Sequence, residues 1–197
     1  MKGKHKQSEN RRNQIIQAGL RCFTKNGYTA STMAEICREA KASTGSVYHH
    51  YKSKEQLATA VYLEGIINFQ EGYIKGLLSG ISAQGCIRNS IAYYIYWVKE
   101  NPEWAKFLFY QRNADFMQNP NEELNSRNKN FTKTLCAWFN KYTEAGILKK
   151  MSWDIFLPQL IGPSQDYTKY YLSGMSVTPV EEAVEILSTA AWDALKI

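Results

Sequence analysis

No apolar run in this chain approaches the length of about 18 residues that a membrane-crossing helix needs, so no membrane span and no membrane partner are expected. The opening residues MKGKHKQSENRRN are basic but lack the apolar stretch of a secretion signal. Histidine is scarce. His49 and His50 are adjacent, so on a helix they point about 100° apart and cannot hold one ion together, and His5 lies far from them in sequence. No Ser-His-Asp order, paired-carboxylate signature or glycine-rich phosphate loop is present, which argues against an enzyme. Metal and cofactor sites are not expected. Cys22, Cys37, Cys86 and Cys136 are not at metal or redox spacing and read as buried free thiols in a reducing compartment. Together these absences point to the cytoplasm.

One further lack is local. The stretch STGSVYHHYKSK, residues 43–54, has no carboxylate but carries two tyrosines, two histidines, two lysines and four small hydroxyl residues. Charge along the chain is uneven in the same sense. Residues 1–54 hold eleven Lys or Arg and three acids (11 − 3 = +8), whereas 55–197 hold thirteen and fifteen (13 − 15 = −2), which sum to the net +6. A basic front on a slightly acidic remainder implies that only the front meets a polyanion.

What is present reads as helix almost throughout, an all-α chain. Strand-like alternation is missing and helix-start signals recur. Thr32 with Glu35, Ser53 with Gln56, and Thr178 with Pro179 and Glu181 each have capping-box spacing. Asn-Pro pairs at 101–102 and 119–120 mark further starts, and Gly27, Gly146 and Gly174 mark stops. Helices are expected at about 8–25, 33–40, 44–50, 54–79, 84–100, 102–116, 120–145, 153–173 and 179–195. Gly162-Pro163 is expected to bend or break the eighth. Residues 1–53 read as one domain and 54–197 as a second.

Two short helices joined at 41–43 make a helix-turn-helix over about 32–51, whose second helix would enter a major groove with its N-terminus leading. An acid there would be repelled by phosphate, whereas hydroxyl, imidazole and phenol groups can donate to phosphates or base edges. Ser43 would cap this helix, and Thr44 stands in its first turn. Gly45 would let backbone approach DNA. Ser46 shares a face with His49, as Gly45 does with Tyr48, while Val47 points inward against Ile36. Lys54 at the next helix start suits a phosphate, and Thr32 can both cap and donate to one.

At this point Arg11 to Leu57 resembles the DNA-binding domain of TetR-type transcriptional regulators. The resemblance is carried by Ile15, Ala18, Phe23, Gly27, Tyr28, Thr32, Ile36, Ala40, Ser43, Gly45, Val47, Tyr48, Tyr51, Lys54, Glu55 and Leu57. It implies a homodimer on a roughly palindromic double-stranded DNA operator. A small-molecule effector, of unknown identity, would bind in the larger domain and release the operator, with repression the implied sign. A constitutive DNA-binding regulator without an effector is the alternative. By carry-over, Thr32, Ser43, Thr44, Gly45, Ser46, Tyr48, His49 and Lys54 fall at DNA-contacting positions. Three residues depart from the family pattern. Lys41 stands where a turn glycine is usual, so either the turn differs or Lys41 gains a phosphate contact. Ala42 replaces a larger aliphatic, and Gly19 replaces an alanine.

In the larger domain the stretch YYIYWVKENPEWAKFLFYQRN, 93–113, is dense in aromatics. Tyr94, Trp97, Phe107, Tyr110, Trp138 and Tyr142 are candidates to line an effector pocket, with ordinary core packing the competing reading. In the last helix, Val180, Val184, Leu187 and Ala191 lie on an apolar strip that would form the dimer interface or pack within its own subunit.

Overall fold

Helix signals of this density leave little room for anything else, and helices are what forms. The computed structural model describes residues 2–110 and 122–197, with side chains described over 6–109 and 122–197. Among the described residues the helices are α1 (Lys2–Asn26), α2 (Met33–Glu39), α3 (Thr44–His50), α4 (Lys54–Leu78), α5 (Ala83–Glu100), α6 (Pro102–Tyr110), α7 (Glu122–Glu144), α8 (Trp153–Leu172) and α9 (Val180–Leu195). No strand is present among them. A single bridge pairs Leu148 with Lys196. The start expected at Asn119-Pro120 lies outside the described residues.

The stops at Gly27, Gly146 and Gly174 form as expected, each glycine with positive φ. One start signal behaves differently. Pro179, not Thr178, occupies the N-cap of α9, and the Thr178 carbonyl accepts from the Tyr167 hydroxyl at 3.0 Å. The start at Asn101-Pro102 forms as expected: Asn101 closes α5, its backbone N–H donating to Trp97 O at 2.8 Å, and the next helix begins at Pro102. The expected break at Gly162-Pro163 does not occur: α8 continues through both Pro158 and Pro163. Each proline removes one i→i−4 bond, and the remaining bonds of a 20-residue helix hold it together.

The chain forms two compact units. One comprises the described residues within Met1–Ile66 and Glu103–Leu124; the other comprises Ile67–Pro102 and Asn125–Ile197. In the first, α1 packs on α2, and Ile15, Ile16, Ile36, Val47, Leu57 and Val61 are fully buried. Gly19 belongs to this packing. A Cβ there would lie 3.3 Å from both Leu57 Cδ2 and Val61 Cγ2, so the missing methyl lets α1 and α4 approach closely. Phe23 stacks on Phe107 with ring centroids 5.6 Å apart, and Tyr62 packs on the same ring. In the second unit α9 packs on α5 and α8.

Candidate nucleic-acid interface

The basic front folds into α1, α2 and α3, and caps fix the geometry of the last two. Glu35 N–H donates to Thr32 Oγ1 at 3.2 Å, while Thr32 N–H donates to Glu35 Oε2 at 2.8 Å, which closes the expected box. The Thr32 hydroxyl also donates to Glu35 Oε2. These bonds, that from the Thr32 backbone first, hold the Glu35 carboxyl below its ordinary value. Ser43 Oγ accepts from Ser46 N–H at 3.2 Å and caps α3. Gln56 N–H donates to Ser53 Oγ, but the Gln56 side chain reaches one residue further back than the spacing implied and accepts from Lys52 N–H at 2.9 Å.

The turn between α2 and α3 resolves one of the departures. Lys41 has φ 48°, the only positive value at a non-glycine among the described residues. Its N–H donates to Arg38 O at 3.1 Å, and Ala42 N–H donates to Cys37 O at 3.0 Å. This is the bonding pattern of a Schellman stop, which requires a left-handed residue at that place. Gly146 and Gly174 make the same pair of bonds with glycine in the central position. The turn is therefore the ordinary one, and Lys41 bears the strain.

On α3 the side chains sort as the periodicity predicts. Val47 is fully buried, whereas Ser43, Thr44, Gly45, Tyr48 and His49 are exposed and Ser46 is half-buried. Thr32 and Lys41 are exposed as well. His50 is turned partly inward. Burial first, then His49, Arg12 and Arg11, push its imidazole below the ordinary value. No acid interrupts this surface between Glu39 and Glu55. Glu39 itself is paired with Arg21 at 2.6 Å. Arg38, Lys41 and Lys52 make no ion pair among the described residues. The result is a capped helix with its polar face outward, cationic neighbours and no nearby free carboxylate. That arrangement can bind a phosphate backbone and present donors to base edges.

Lys54 is placed differently from expectation. Its Nζ donates to the carbonyls of Tyr28, Thr29 and Ser31 at 3.0, 3.1 and 3.0 Å and lies 4.6 Å above the Tyr28 ring. Sequence spacing gave no signal for this bond set, because the three acceptors are backbone atoms some 25 residues away.

The described aromatic candidates are divided between the two units. Phe107 is in the core of the first unit, against Phe23 and Tyr62. In the second unit Tyr94 and Trp97 pack edge-on against Phe69, at 5.4 and 5.1 Å, and Trp97 Nε1 donates to Asn68 Oδ1 at 2.7 Å. Burial pushes the Tyr94 hydroxyl well above its ordinary value, and that of Tyr73 up to about 12. Trp138 is buried against Tyr142 and Phe156, and Tyr142 is half-buried. The side chain of Tyr110 lies outside the described residues. Of the α9 strip, Val180, Val184 and Ala191 are buried within the subunit and Leu187 is half-buried. Packing within its own subunit is thus the reading that holds for those three residues, since α9 turns this side to α5 and α8.

Comparison with known proteins bears on the same segment. Residues 15–61 match the family described as "Bacterial regulatory proteins, tetR family". The HTH-type transcriptional regulator HbdR of Aromatoleum sp. (strain CIB) is 34% identical over 74 residues, which are 38% of this chain and 32% of HbdR. The chain therefore spans about a third of that relative's length. A TetR family transcription regulator from Marinobacter aquaeolei VT8 superposes with a TM-score of 0.85 at 19% identity, covering 98% of both chains. AibR, solved in complex with isovaleryl coenzyme A and operator DNA, superposes with a TM-score of 0.73 at 18% identity over 90% of this chain and 96% of its own. At these identities the two structures establish a shared fold.

Proposed function

Because the chain belongs, through its N-terminal module, to the TetR family of bacterial regulatory proteins, we propose that it is a sequence-specific DNA-binding regulator of transcription and not an enzyme. In this reading residues 1–53 bind DNA and 54–197 bind an effector and a second copy of the chain, and the protein works in the cytoplasm as a repressor released from a palindromic operator. No described helix is long and apolar enough to cross a membrane.

The observation that carries the reading is the outward face of α3: Thr44, Gly45, Tyr48 and His49 exposed around a fully buried Val47. One such helix reads only a few base pairs. Two on a two-fold axis, about 34–36 Å apart, engage successive major grooves. AibR, which shares this fold, was solved in complex with operator DNA, and this supports DNA binding here. Selection from random duplexes tests it. A two-fold symmetric site with half-sites one turn apart is the expected product, and the absence of any enriched sequence would refute the reading.

Effector binding is supported by AibR, a protein of the same fold solved in complex with isovaleryl coenzyme A. Switching occupancy from 99:1 to 1:99 takes about 5.5 kcal/mol of differential affinity. The tight packing of Tyr94 and Trp97 on Phe69 favours the second reading, a regulator without effector. A thermal-shift screen separates the two: a stabilising compound that also weakens DNA binding establishes the first.

A further inference from the structure

An ammonium has three N–H donors and no acceptor. At Lys54 all three are committed, to the carbonyls of Tyr28, Thr29 and Ser31, each within 3.1 Å. None remains for a phosphate oxygen unless one of these carbonyls is released. The same Nζ sits over the Tyr28 ring, whose hydroxyl donates to Glu55 Oε1 at 3.1 Å. Two consecutive residues at the start of α4 thus hold one loop. That loop links α1 to α2 and ends at Thr32, the N-cap of α2. Electrostatics sharpens the point. A cation in the first turn of a helix is disfavoured by the helix dipole, so Lys54 stands in a poor place for a lysine unless something compensates it. The three carbonyls and the ring supply that compensation from within the protein.

We propose that Lys54 is a positioning residue of the DNA-binding module: it locks the α1–α2 link onto the start of α4, and so sets where α2 begins and how α3 is presented, without itself holding a phosphate. The proposal rests on the DNA-binding reading above and makes opposite predictions from a direct contact. A phosphate contact contributes about 0.9 to the slope of log affinity against log salt and weakens all sequences alike. A positioning residue leaves that slope unchanged and acts on discrimination.

The test compares wild type, Lys54→Met and Lys54→Arg on the selected duplex and on a random duplex, across a salt series and well below each variant's melting temperature. Amide exchange of residues 29–35 is followed on the free proteins. Lys54→Met is expected to keep the wild-type slope and random-duplex affinity, and to lose ~10-fold in preference, the scale of one mismatched base pair. Lys54→Arg keeps the charge, but its planar fork does not match three carbonyls around one point. It is expected to restore little preference and to show faster exchange at the loop than wild type. A slope reduced by about one with arginine restoring affinity overturns the proposal, as does unchanged preference in Lys54→Met. If Lys54→Met does not fold, Lys54→Arg decides through the same two readouts. A wild-type chain with no preferred duplex sinks the DNA-binding reading instead, and the exchange measurement, which needs no DNA, still decides the lock.

Discussion

Gly45 has nothing within 4 Å of where a Cβ would be, and its φ is not positive. Neither packing nor backbone geometry within the protein requires glycine there, although glycine inside a helix costs roughly 0.5–1 kcal/mol relative to alanine. A requirement imposed from outside, by a close-lying duplex, accounts for it. Gly45→Ala is accordingly expected to raise the melting temperature of the free protein while weakening binding to the selected duplex. Melting curves and fluorescence anisotropy on one preparation check both halves, and a rise in both stability and affinity would remove the argument. Lys41 is the converse case, a residue that strains the protein. With φ 48° it pays about 1 kcal/mol that glycine would not. Lys41→Gly should gain about that much stability in urea unfolding. If its ammonium also meets phosphate, the salt slope of DNA binding falls by about 0.9 in the same variant.

Among the elements, α2 is short and depends on its cap. Glu35 is held below its ordinary value of 4.5 chiefly by the Thr32 backbone N–H, so the stabilisation it brings is fully present above that value and is lost as pH falls through and below it. His50 acts in the same direction from higher pH. Its folded value is depressed, so the unfolded chain takes up its proton more readily, and stability falls as pH drops below the ordinary 6.5. Acid should therefore loosen α2 and α3 together. The protection factors of the α2 amides, with the intrinsic exchange rate at each pH divided out, are expected to fall between neutral pH and pH about 4, with Glu35→Gln flattening the lower part of that dependence. Loss of the cap itself, by Thr32→Ala, should cost about 1 kcal/mol at neutral pH. An α2 whose exchange does not respond to either substitution would mean that tertiary packing alone holds it.

For the whole molecule, the proposed function calls for a surface that pairs two copies of the chain. The expected strip on α9 is spent on the subunit's own core, but the outer sides of α8 and α9 expose Ile155, Tyr170 and Ile186 at 48, 58 and 54%. Apolar side chains of this size are natural candidates for contact with a second copy. Ile186→Glu is expected to give monomers by light scattering and to lose most affinity for a two-fold site, with secondary structure by circular dichroism unchanged. A dimer that persists would move the interface off these helices.

Much of this was legible in the sequence, because the forces involved are local. Thr32 with Glu35, Ser43 before α3, and the glycines at 27, 146 and 174 act through bonds spanning three to five residues, and spacing alone reveals such bonds. The exposed, acid-free face of α3 followed from a 3.6-residue period and a charge count. Tertiary structure decided what depends on partners distant in the chain. Three backbone carbonyls captured Lys54, a stack on Phe23 took Phe107 into the core of the first unit, and the packing of α9 on α5 and α8 buried Val180, Val184 and Ala191. Backbone acceptors carry no residue identity, and an apolar strip looks the same whether its own chain or a second one covers it. Those choices are made only when the helices meet.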